Sequence, residues 1–483
     1  MAKKQKKKMN TKLLLAFKIM GILATVFMGI FLVFLGKLDI LPSFYYLMIV
    51  ISFGLLASFS VFAIFKFKKG LKIMSFFLLV IFGCLSLIGT YYLYHTDAFL
   101  NQSFRNRKSS YTTVYYLVAA KESTLEDLSS ITSSIGYYHG SSLMDEAMNR
   151  LRNKGGVEYS FTPYDDVITM FQNVLAQAIP VMLVEQTNFN LVFDINKDLK
   201  QEQFKVLEEI KFDTEVDNEV LSKANKFNIY IGGNDFTNSL MDFNMVVTIN
   251  MATHQILMTS FPRDYYIPVS GFQGQRDTLS FMGARGIETN RKSLEEFLGI
   301  DLGYYIKIQT RSLVGIVDEI GGIEYCSDVN FQTTHAKILD DYNDKHGEKM
   351  YVTKGCHHFN GIETLTVARE RLAFPGGDRQ RQKNCQQIIK AIFKQLLTTN
   401  TITNYNNILN SLNDLYQTNI PREVITDLIK ETIDGANWEI KEQSVNGVDG
   451  ENFVHLTNLR SYVMNPDMDT VNAAVAAIKA LLE

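Results

Sequence analysis

ARERLAFPGGDRQRQKNCQQIIKAI, residues 368–392, concentrates arginines in a chain that has no basic excess. The arginines of this stretch are Arg369, Arg371, Arg379 and Arg381. The whole chain of 483 residues carries a formal charge of -3 at pH 7, so its composition does not explain the concentration. Asp378 and two glycines interrupt the stretch. It is either an ordinary solvated basic loop or a site that binds an anion.

The apolar residues that follow the arginines predict a long amphipathic helix. They repeat at helical spacing on one face: Ile388, Ile389, Ile392 and Leu396. The arginine stretch therefore lies at or near a helix N-terminus, which favours anions. If residues 369–371 form a strand, Arg369 and Arg371 share one face and Glu370 takes the other. The pattern leaves open whether the apolar helix face lines a ligand pocket or only packs in the core.

Three uncharged runs near the N-terminus predict three transmembrane helices within residues 19–95. They cover residues 19–35, 41–65 and 73–94. At about 1.5 Å per residue, each run crosses or nearly crosses a hydrocarbon core about 30 Å thick. A cleaved signal peptide has one short apolar stretch, so this succession of runs argues against cleavage.

The distribution of lysines predicts the orientation of these helices. Residues 1–18 form a lysine-rich tail, and the loop after the second run contains Lys66, Lys68, Lys69 and Lys72. The loop after the first run holds only Lys37 and Asp39. By the positive-inside rule, the N-terminus is cytoplasmic and everything after about His95 is extracellular. We therefore expect a multi-pass cell-membrane protein.

The predicted extracellular part is long enough for two domains, which we divide near residues 222–225. In residues 96–223, strand candidates begin at Tyr111 and Ile179, and helix candidates cover residues 124–135 and begin at Ser141. Strands that alternate with helices predict a small α/β accessory domain. It contains no recognisable nucleophile or metal-ligand pattern, so packing or partner contact is its expected role.

Residues 224–483 open with a strand, FNIYIGGND, that ends at Asp235. The next two strand candidates, MDFNMVVTIN and QILMTSFPRDYYIPV, predict a hairpin. Asp242 lies at one end of this hairpin, and Arg263 and Asp264 follow its second strand. Strand ends and loops commonly display functional groups. Further alternating strands and helices predict a second α/β domain.

These arginines and aspartates suit phosphate chemistry. Guanidinium groups bind phosphate oxygens through paired hydrogen bonds, and several of them suit a pyrophosphate. Asp235 and Asp242 offer the hard oxygen ligands that Mg²⁺ prefers when it is shared with substrate phosphates. Together they would stabilise the charge that develops in phosphoryl transfer. The alternatives are a surface ion pair for Arg263 with Asp264 and a turn-capping role for Asp242.

The chain has 4 cysteines, of which Cys84 lies in the third apolar run. Cys326 and Cys356 either pair, as exported cysteines commonly do, or remain two separate buried thiols. His357 and His358 follow Cys356, but neighbouring strand residues point to opposite faces, and no spaced CxxC or HxxxH pattern accompanies them. A zinc site is therefore not expected here.

Five segments follow one another between residues 227 and 397: GGND, MDFNMVVTIN, SFPRDYYIPV, GYYIKIQTRSLVGIVDEIGGIEY and ARERLAFPGGDRQRQKN. Their order and spacing resemble the LytR-CpsA-Psr (LCP) family, membrane-anchored glycopolymer ligases of mainly Gram-positive bacteria. The streptococcal capsule proteins of this family also have three spans, an accessory domain and then the LCP domain. The segment YVMNPDMDTVNAAVAAI near the C-terminus is similar to the terminal segment of the family.

The resemblance implies an α/β LCP domain whose central sheet and flanking helices surround an apolar pocket for a polyprenyl chain. It implies a Mg²⁺-dependent phosphotransferase that moves an undecaprenyl-pyrophosphate-linked glycopolymer, of the capsule or teichoic acid type, onto peptidoglycan as a phosphodiester. The implied partners are the lipid-linked glycan, the peptidoglycan acceptor and the membrane, with capsule or wall assembly proteins as further candidates. Nucleic acid is not among them, because no helix-turn-helix pattern is present.

The resemblance also assigns roles to individual residues. Asp235 and Asp242 would hold Mg²⁺ and belong to the catalytic set with Arg263 and Arg371, and Asp235 is a candidate base for the acceptor hydroxyl. The implied substrate contacts are Arg263, Arg369, Arg371, Asp378, Arg379, Arg381 and Cys385, with Asp378 and Arg379 orienting the loop.

The chain departs from the family pattern at two positions. Leu240 stands where the family usually has an arginine, and Cys385 stands where a glutamine commonly follows the asparagine. A thiol is a poor substitute for an amide donor, although Gln386 or Gln387 could replace it in a shifted helix register. The alternative function is therefore a membrane protein that binds polyprenyl-phosphate glycan, or regulates wall or capsule assembly, without catalysis.

Overall fold

The computed structural model describes residues 11–483 apart from several internal gaps. The residues outside the description are 1–10, 67–68, 104–108, 132–133, 139–142, 156–157, 197, 217–224, 235–239, 273, 337–347, 397–415 and 456–458. The described chain forms two compact units. The described parts of the first unit lie in Met1–Arg105 and Pro421–Asn437, and the rest of the described chain belongs to the second.

Three long apolar helices make up most of the first unit. They are α1 (Thr11–Leu38), α2 (Ser43–Lys66) and α3 (Lys69–Ser103). All three are long and apolar enough to cross a membrane, which confirms the three predicted segments. Gly83 allows α1 and α3 to approach closely, because a Cβ at this position would lie 2.7 Å from the Cβ of Ala24.

The accessory region is a five-stranded sheet with helices. In chain order its elements are β1 (Ser109–Ala120), β2 (Ile135–Tyr138), α4 (Met144–Gly155), β3 (Phe161–Tyr164), α5 (Val167–Leu175), β4 (Val181–Glu185), α6 (Gln186–Ile195) and β5 (Phe204–Val216). The strand order is β3-β2-β4-β1-β5. Alternate residues of β1 enter two different cores, because strand side chains alternate between faces: Leu117 packs with α4, and Val118 packs with α5 and α6.

The helix predicted at residues 124–135 is wrong. The described residues of this segment, 124–131 and 134–135, form a 3₁₀ turn at Leu128–Ser130 and no α-helix, and the Asp127 side chain caps the turn by accepting a hydrogen bond from the Ser130 amide. Leu128, Ile131 and Ile135 are all buried in the same core as β1, so their helix-like spacing reflects tertiary burial and not a helix. Ile135 already belongs to β2.

The remaining strands build the larger sheet and four small ladders. They are β6 (Lys226–Asn234), β7 (Met241–Asn250), β8 (Gln255–Phe261), β9 (Tyr266–Pro268), β10 (Arg276–Thr278), β11 (Tyr304–Gln309), β12 (Ile323–Ser327), β13 (Phe331–Ala336), β14 (Lys349–Val352), β15 (Gly355–Phe359), β16 (Tyr416–Thr418), β17 (Glu439–Ser444), β18 (Gly447–Val454) and β19 (Leu459–Pro466). The six-stranded sheet has the order β16-β11-β6-β7-β8-β17. The ladders pair β9 with β10, β12 with β15, β13 with β14, and β18 with β19.

Helices flank the six-stranded sheet. They are α7 (Leu279–Met282), α8 (Ile287–Leu298), α9 (Thr310–Glu319), α10 (Gly361–Arg369), α11 (Asp378–Leu396) and α13 (Met468–Leu482), whereas α12 (Arg422–Ile433) belongs to the first compact unit. The main core joins the sheet residues Tyr230 and Val246 to Leu294 of α8 and to Val471 and Ile478 of α13. The predicted hairpin is confirmed, because β7 and β8 pair antiparallel from Asn250 opposite Gln255.

Helix α12 belongs to the first unit, although the strands before and after it, β16 and β17, lie at opposite edges of the six-stranded sheet. Arg422 of α12 contacts Asp97 of α3 at 2.8 Å, and Lys37 of α1 contacts the same carboxylate at 2.9 Å. Lys430 contacts Asp39 at 2.7 Å. Ion pairs therefore join α12 to the ends of α1 and α3.

Candidate active site

Two arginines from distant segments hold one aspartate near the start of β7, an inner strand of the six-stranded sheet. The Arg263 Nη1 lies 2.6 Å from Oδ1 of Asp242, and the Arg381 Nη1 lies 3.2 Å from Oδ2 of the same carboxylate. Arg381 also donates from Nη2 to the Asp242 carbonyl oxygen at 3.2 Å. The Arg381 side chain is only 8% exposed, whereas that of Asp242 is 30% exposed. The buried Arg381 side chain therefore holds the cluster in place, and the Asp242 carboxylate is partly open to solvent.

Strand topology explains this convergence. Asp242 lies near the start of β7 and Arg263 follows the end of β8, and these two positions meet at the open end of an antiparallel hairpin. Helix α11 contacts β8, and Gln386 of α11 donates to the carbonyl oxygens of Met258 and Gln443. The first turn of α11, which carries Arg381, is thereby held beside the hairpin.

Two further carboxylates belong to the same cluster. Asp378 Oδ1 lies 2.6 Å from Arg381 Nη2, and Asp264 Oδ2 lies 3.3 Å from Arg263 Nε. The described cluster thus combines two guanidinium groups with three carboxylates. The pairing of Arg263 with Asp264 is therefore one part of a larger network and not an isolated surface ion pair.

The arginines keep Asp242 ionised. Burial raises the pKa of Asp242, but the charges of Arg381 and Arg263 and their hydrogen bonds lower it more, so its pKa is below the ordinary value. Burial lowers the pKa of Arg263, yet the charges of Asp242, Asp264 and Asp378 raise it above its usual range. Asp264 behaves differently, because burial raises its pKa more than Arg263 lowers it. The network therefore has one firmly ionised carboxylate and one that holds its proton more readily than usual.

Glu370 organises the loop that carries the neighbouring arginines. It is fully buried, and its carboxylate accepts hydrogen bonds from the backbone amides of Thr334 and Ala373 and from the Thr334 hydroxyl. Burial raises the pKa of Glu370, but these hydrogen bonds lower it below the usual range. The sequence showed only that Glu370 lies between two arginines, and its burial could not be read from that pattern.

Arg369 and Arg371 do not lie on a strand, so the condition for a shared strand face is not met. Arg369 is the last residue of α10, and Glu370 is its extended C-cap. A turn follows, and Gly377 adopts φ +50° immediately before α11 begins at Asp378. Arg369 is half-buried and Arg371 is exposed. The prediction that the arginine stretch precedes a helix is confirmed.

Arg379 points away from Asp242. Its Nη2 donates to Asp449 Oδ1 at 3.0 Å and to the Gly447 carbonyl oxygen at 3.2 Å, both on β18. The structure thus brings together Asp242, Arg263, Asp378 and Arg381, and it places Arg379 in a contact with the β18–β19 hairpin. No spacing rule in the sequence predicted this contact.

Cys385 is a half-buried thiol one helical turn beyond Arg381. Its Sγ lies 3.3 Å from the Ala368 carbonyl oxygen, to which the thiol donates. Burial raises the pKa of Cys385 to about 12, so the group is a neutral thiol at physiological pH. Gln386 is buried, and its side-chain amide donates hydrogen bonds to two carbonyl oxygens of the sheet. It therefore does not replace the glutamine amide that the resemblance led us to expect at position 385. Asn384 accepts hydrogen bonds from Tyr325 and Gln380.

The metal ligands predicted from the sequence are described only in part. Asp235 lies outside the described residues, and Leu240, where the resemblance led us to expect an arginine, is half-buried just before β7. Asp242 is an ionised carboxylate with one oxygen on each arginine, and Asp378 and Asp264 add further hard oxygen atoms nearby. Carboxylate oxygens are the ligand type that Mg²⁺ prefers, but Asp242, Asp264 and Asp378 do not form a group of three converging ligands in this structure. The neighbouring guanidinium charges oppose a cation unless a phosphate is bound between them.

The structure joins Cys326 and Cys356 in a disulfide, which decides between the two alternatives for these cysteines. They lie opposite each other on β12 and β15. Glu324 with these cysteines is the one group of three potential metal ligands among the described residues, and its two sulfurs are bonded to each other. His357 contacts Thr353 instead of a metal-ligand group.

Comparisons with known proteins agree with these features. The sequence matches the LytR_cpsA_psr family over residues 186–476. It is 27% identical over 242 residues to the polyisoprenyl-teichoic acid–peptidoglycan teichoic acid transferase TagU of Bacillus cereus, covering 49% of this chain and 72% of that protein. It is 28% identical over 185 residues to the biofilm regulatory protein A of Streptococcus mutans, covering 37% of this chain and 44% of that protein.

Solved structures of similar proteins include B. subtilis TagV, with a TM-score of 0.45 and 22% identity over 54% of this chain and 98% of that one. TagT bound to LIIa-WTA is 18% identical, with a TM-score of 0.44, over 55% of this chain and 95% of that one. The family match covers more than half of the present sequence, including the hairpin, the arginine loop and the first part of α13. The chain therefore belongs to the LytR_cpsA_psr family.

Proposed function

We propose that this protein is a phosphotransferase that moves a polyprenyl-pyrophosphate-linked glycopolymer, of the capsule or teichoic acid type, onto peptidoglycan. The observation that carries the proposal is the cluster of Arg263 and Arg381 around the ionised, solvent-open carboxylate of Asp242. The family membership supports it, as do the relatives that are named teichoic acid transferases. Guanidinium groups held in place before substrate binds are suited to a diphosphate.

Each arginine has a distinct part in this proposal. Arg263 and Arg381 are fixed by carboxylates and would present their remaining N–H donors to the phosphate oxygens. Arg371 is exposed on the loop that Glu370 organises, so it can reach a phosphate without first leaving a buried pair. Arg369, at the end of α10, would contact the same diphosphate. Such contacts gain strength as charge moves onto the leaving phosphate.

Asp242 and Asp235 would hold Mg²⁺ when substrate is present. The ion would supply further positive charge at the phosphate oxygens. In the transfer itself, an acceptor hydroxyl oxygen forms a bond to the phosphorus next to the glycan, and the bond from that phosphorus to the bridging oxygen breaks. Polyprenyl monophosphate leaves with the bond electrons, and a carboxylate takes the hydroxyl proton, with Asp235 as the candidate.

The three apolar helices support a membrane location, where a polyprenyl donor is found. The lysine distribution favours a cytoplasmic N-terminus and extracellular catalytic and accessory domains. An apolar pocket for the polyprenyl chain stays a prediction of the family resemblance. Ile388 and Ile392 of α11 are buried, as either a packed core or a pocket wall requires.

The experiment that tests the proposal uses the full chain in lipid nanodiscs. A short polyprenyl-pyrophosphate glycan and a peptidoglycan acceptor are added with Mg²⁺ or with a chelator, and the glycan joined to the acceptor is quantified. We expect transfer that requires Mg²⁺ and falls at least about a hundredfold in Arg371→Ala, as for loss of a transition-state contact. Arg460→Ala is the matched control, because Arg460 is an exposed arginine on β19 that packs over Phe453.

A second candidate function is a binding or regulatory protein without turnover. Cys385 favours it, because its thiol donates to Ala368 and provides no amide to a phosphate. In that case the chain would bind the lipid-linked glycan and form no product with any acceptor. Tight binding without transfer would replace the enzyme proposal by this one.

A further inference from the structure

A polar cleft lies beside the candidate active site and takes no part in the phosphate chemistry. It has a volume of about 370 Å³ and is formed by β14, β15 and the beginning of α10. The lining residues that matter for the argument are Glu348, Lys349, Tyr351, His357, His358 and Glu363. They offer an aromatic ring together with hydrogen-bond donors and acceptors.

The charges of the cleft do not select an anion. Glu348 and Glu363 contribute two carboxylates, and Lys349 is the single lysine or arginine among the described lining residues. Tyr351 is 62% exposed, so most of its ring is available to a ligand. A ligand that is rich in hydroxyl groups can donate to the carboxylates and accept from the lysine. The carbon-bound hydrogens of a sugar ring fit the negative face of an aromatic ring.

Helix α10 connects the cleft directly to the arginine loop. Glu363 lines the cleft in the first turn of this helix, and Arg369 ends it. At 1.5 Å per residue, these two positions are about 9 Å apart along the helix axis. On the other side, β13 pairs with β14 of the cleft, and Thr334 of β13 donates to Glu370 in the loop. The cleft is therefore a short distance from the proposed diphosphate position.

A second connection runs through stacked rings to α11. The ring centroids of His357 and Phe359 are 6.3 Å apart, and those of Phe359 and Tyr325 are 5.2 Å apart. The Tyr325 hydroxyl donates to Asn384 at 3.1 Å, one residue before Cys385. The disulfide between Cys326 and Cys356 joins the same two strands. Ring contacts, a hydrogen bond and a disulfide thus connect β15 in the wall of the cleft to β12 and α11.

We propose that this cleft is a glycan-binding subsite in which Tyr351 stacks on a sugar ring. The inference rests on the proposed function, since a transferase of this kind must hold two glycans whose reacting ends meet at the diphosphate. A neutral, hydroxyl-rich sugar ring is present both in glycan units of the donor and in the glycan strand of peptidoglycan. Both sources are therefore compared in the test.

The first test measures binding alone, with the full chain in nanodiscs and chitotetraose as the probe. We expect saturable binding that weakens at least about fivefold in Tyr351→Ala and changes less than about twofold in Tyr351→Phe, which keeps the ring. Phe453→Ala is the matched control, because Phe453 is an aromatic residue of similar exposure on β18. Arg371→Ala should leave chitotetraose binding unchanged, so failure of transfer and failure of the subsite are distinguished.

The second test assigns the glycan. Transfer is measured with donors of increasing sugar number and with peptidoglycan strands of increasing length. If Tyr351→Ala raises KM for longer donors, the cleft binds the donor; if it raises KM for longer acceptor strands, it binds the acceptor. The proposal is overturned if Tyr351→Ala changes neither chitotetraose binding nor either KM.

Discussion

Arg381 and Asp242 are 139 residues apart in the sequence, and in the structure two hydrogen bonds of 3.2 Å join them. One bond goes to the Asp242 carboxylate and the other to its backbone carbonyl oxygen. Arg381 therefore fixes both the charge and the backbone position of Asp242. Because Arg263 binds the second carboxylate oxygen, the aspartate is held from two sides before any substrate arrives.

This relationship predicts a large loss of stability for Arg381→Ala. Removing a buried partner leaves the carboxylates of Asp242 and Asp378 without their main counter-charge, so we expect a loss of about 2–4 kcal/mol in the free energy of unfolding. Denaturant unfolding of the full chain in detergent measures it. Arg379→Ala is the control, since the pair of Arg379 and Asp449 is about half exposed and should contribute less than about 1 kcal/mol. Equal effects of the two substitutions would contradict the assigned burial.

Glu370 predicts a pH dependence of stability. Its pKa is lowered in the folded state, so its contribution is fully present above the unfolded pKa and is lost as the pH falls through the folded pKa. We expect Glu370→Gln to lower the free energy of unfolding by about 1–3 kcal/mol above about pH 5.5, with the difference shrinking below about pH 4. Unfolding curves of both proteins between pH 3 and about 7 provide the comparison. A difference that stays constant over this range would show that ionised Glu370 is not the group responsible.

Cys385 should be unreactive in the folded protein. With its pKa raised to about 12, it contains almost no thiolate at pH 8, and the thiolate is the nucleophile. Iodoacetamide followed by mass spectrometry should modify Cys385 only after the chain is unfolded in denaturant. Cys385→Ser keeps a donor toward the Ala368 carbonyl oxygen and should leave transfer within about twofold of the unmodified chain. Rapid alkylation of native Cys385 would refute this description of its environment.

The disulfide should stabilise the second compact unit. It closes a loop with a sequence separation of 30 residues, for which loop entropy gives about 3–4 kcal/mol. We expect the free energy of unfolding of the double variant Cys326→Ser, Cys356→Ser to be lower by this amount in denaturant unfolding. A reducing agent should lower the free energy of unfolding of the unmodified chain equally and leave that of the double variant unchanged. Cys84→Ser serves as the control, because Cys84 is a free cysteine in α3. If the reducing agent destabilises the double variant equally, the effect does not come from this bond.

Local patterns were sufficient for several parts of this molecule. The three apolar helices follow from hydropathy runs, because spanning a membrane depends on length and composition within one segment. The β7–β8 hairpin and α11 follow from alternation and from 3.6-residue spacing for the same reason. The sequence by itself also placed Arg381 near the beginning of a helix and Asp242 at the end of a hairpin. It resembled a known family through five ordered segments, and the family match confirms that membership.

Only the tertiary structure decided which of these residues meet. Arg379 and Arg381 are two positions apart, yet Arg381 faces Asp242 while Arg379 reaches Asp449 on β18, because successive helix side chains point in different directions. Glu370 is a buried carboxylate because β13 supplies Thr334 from 36 residues away. The spacing of three apolar residues resembles that of a helix because one core buries them from separate elements. These residues are Leu128, Ile131 and Ile135. Burial and long-range pairing are properties of the folded chain, and no short stretch of sequence contains them.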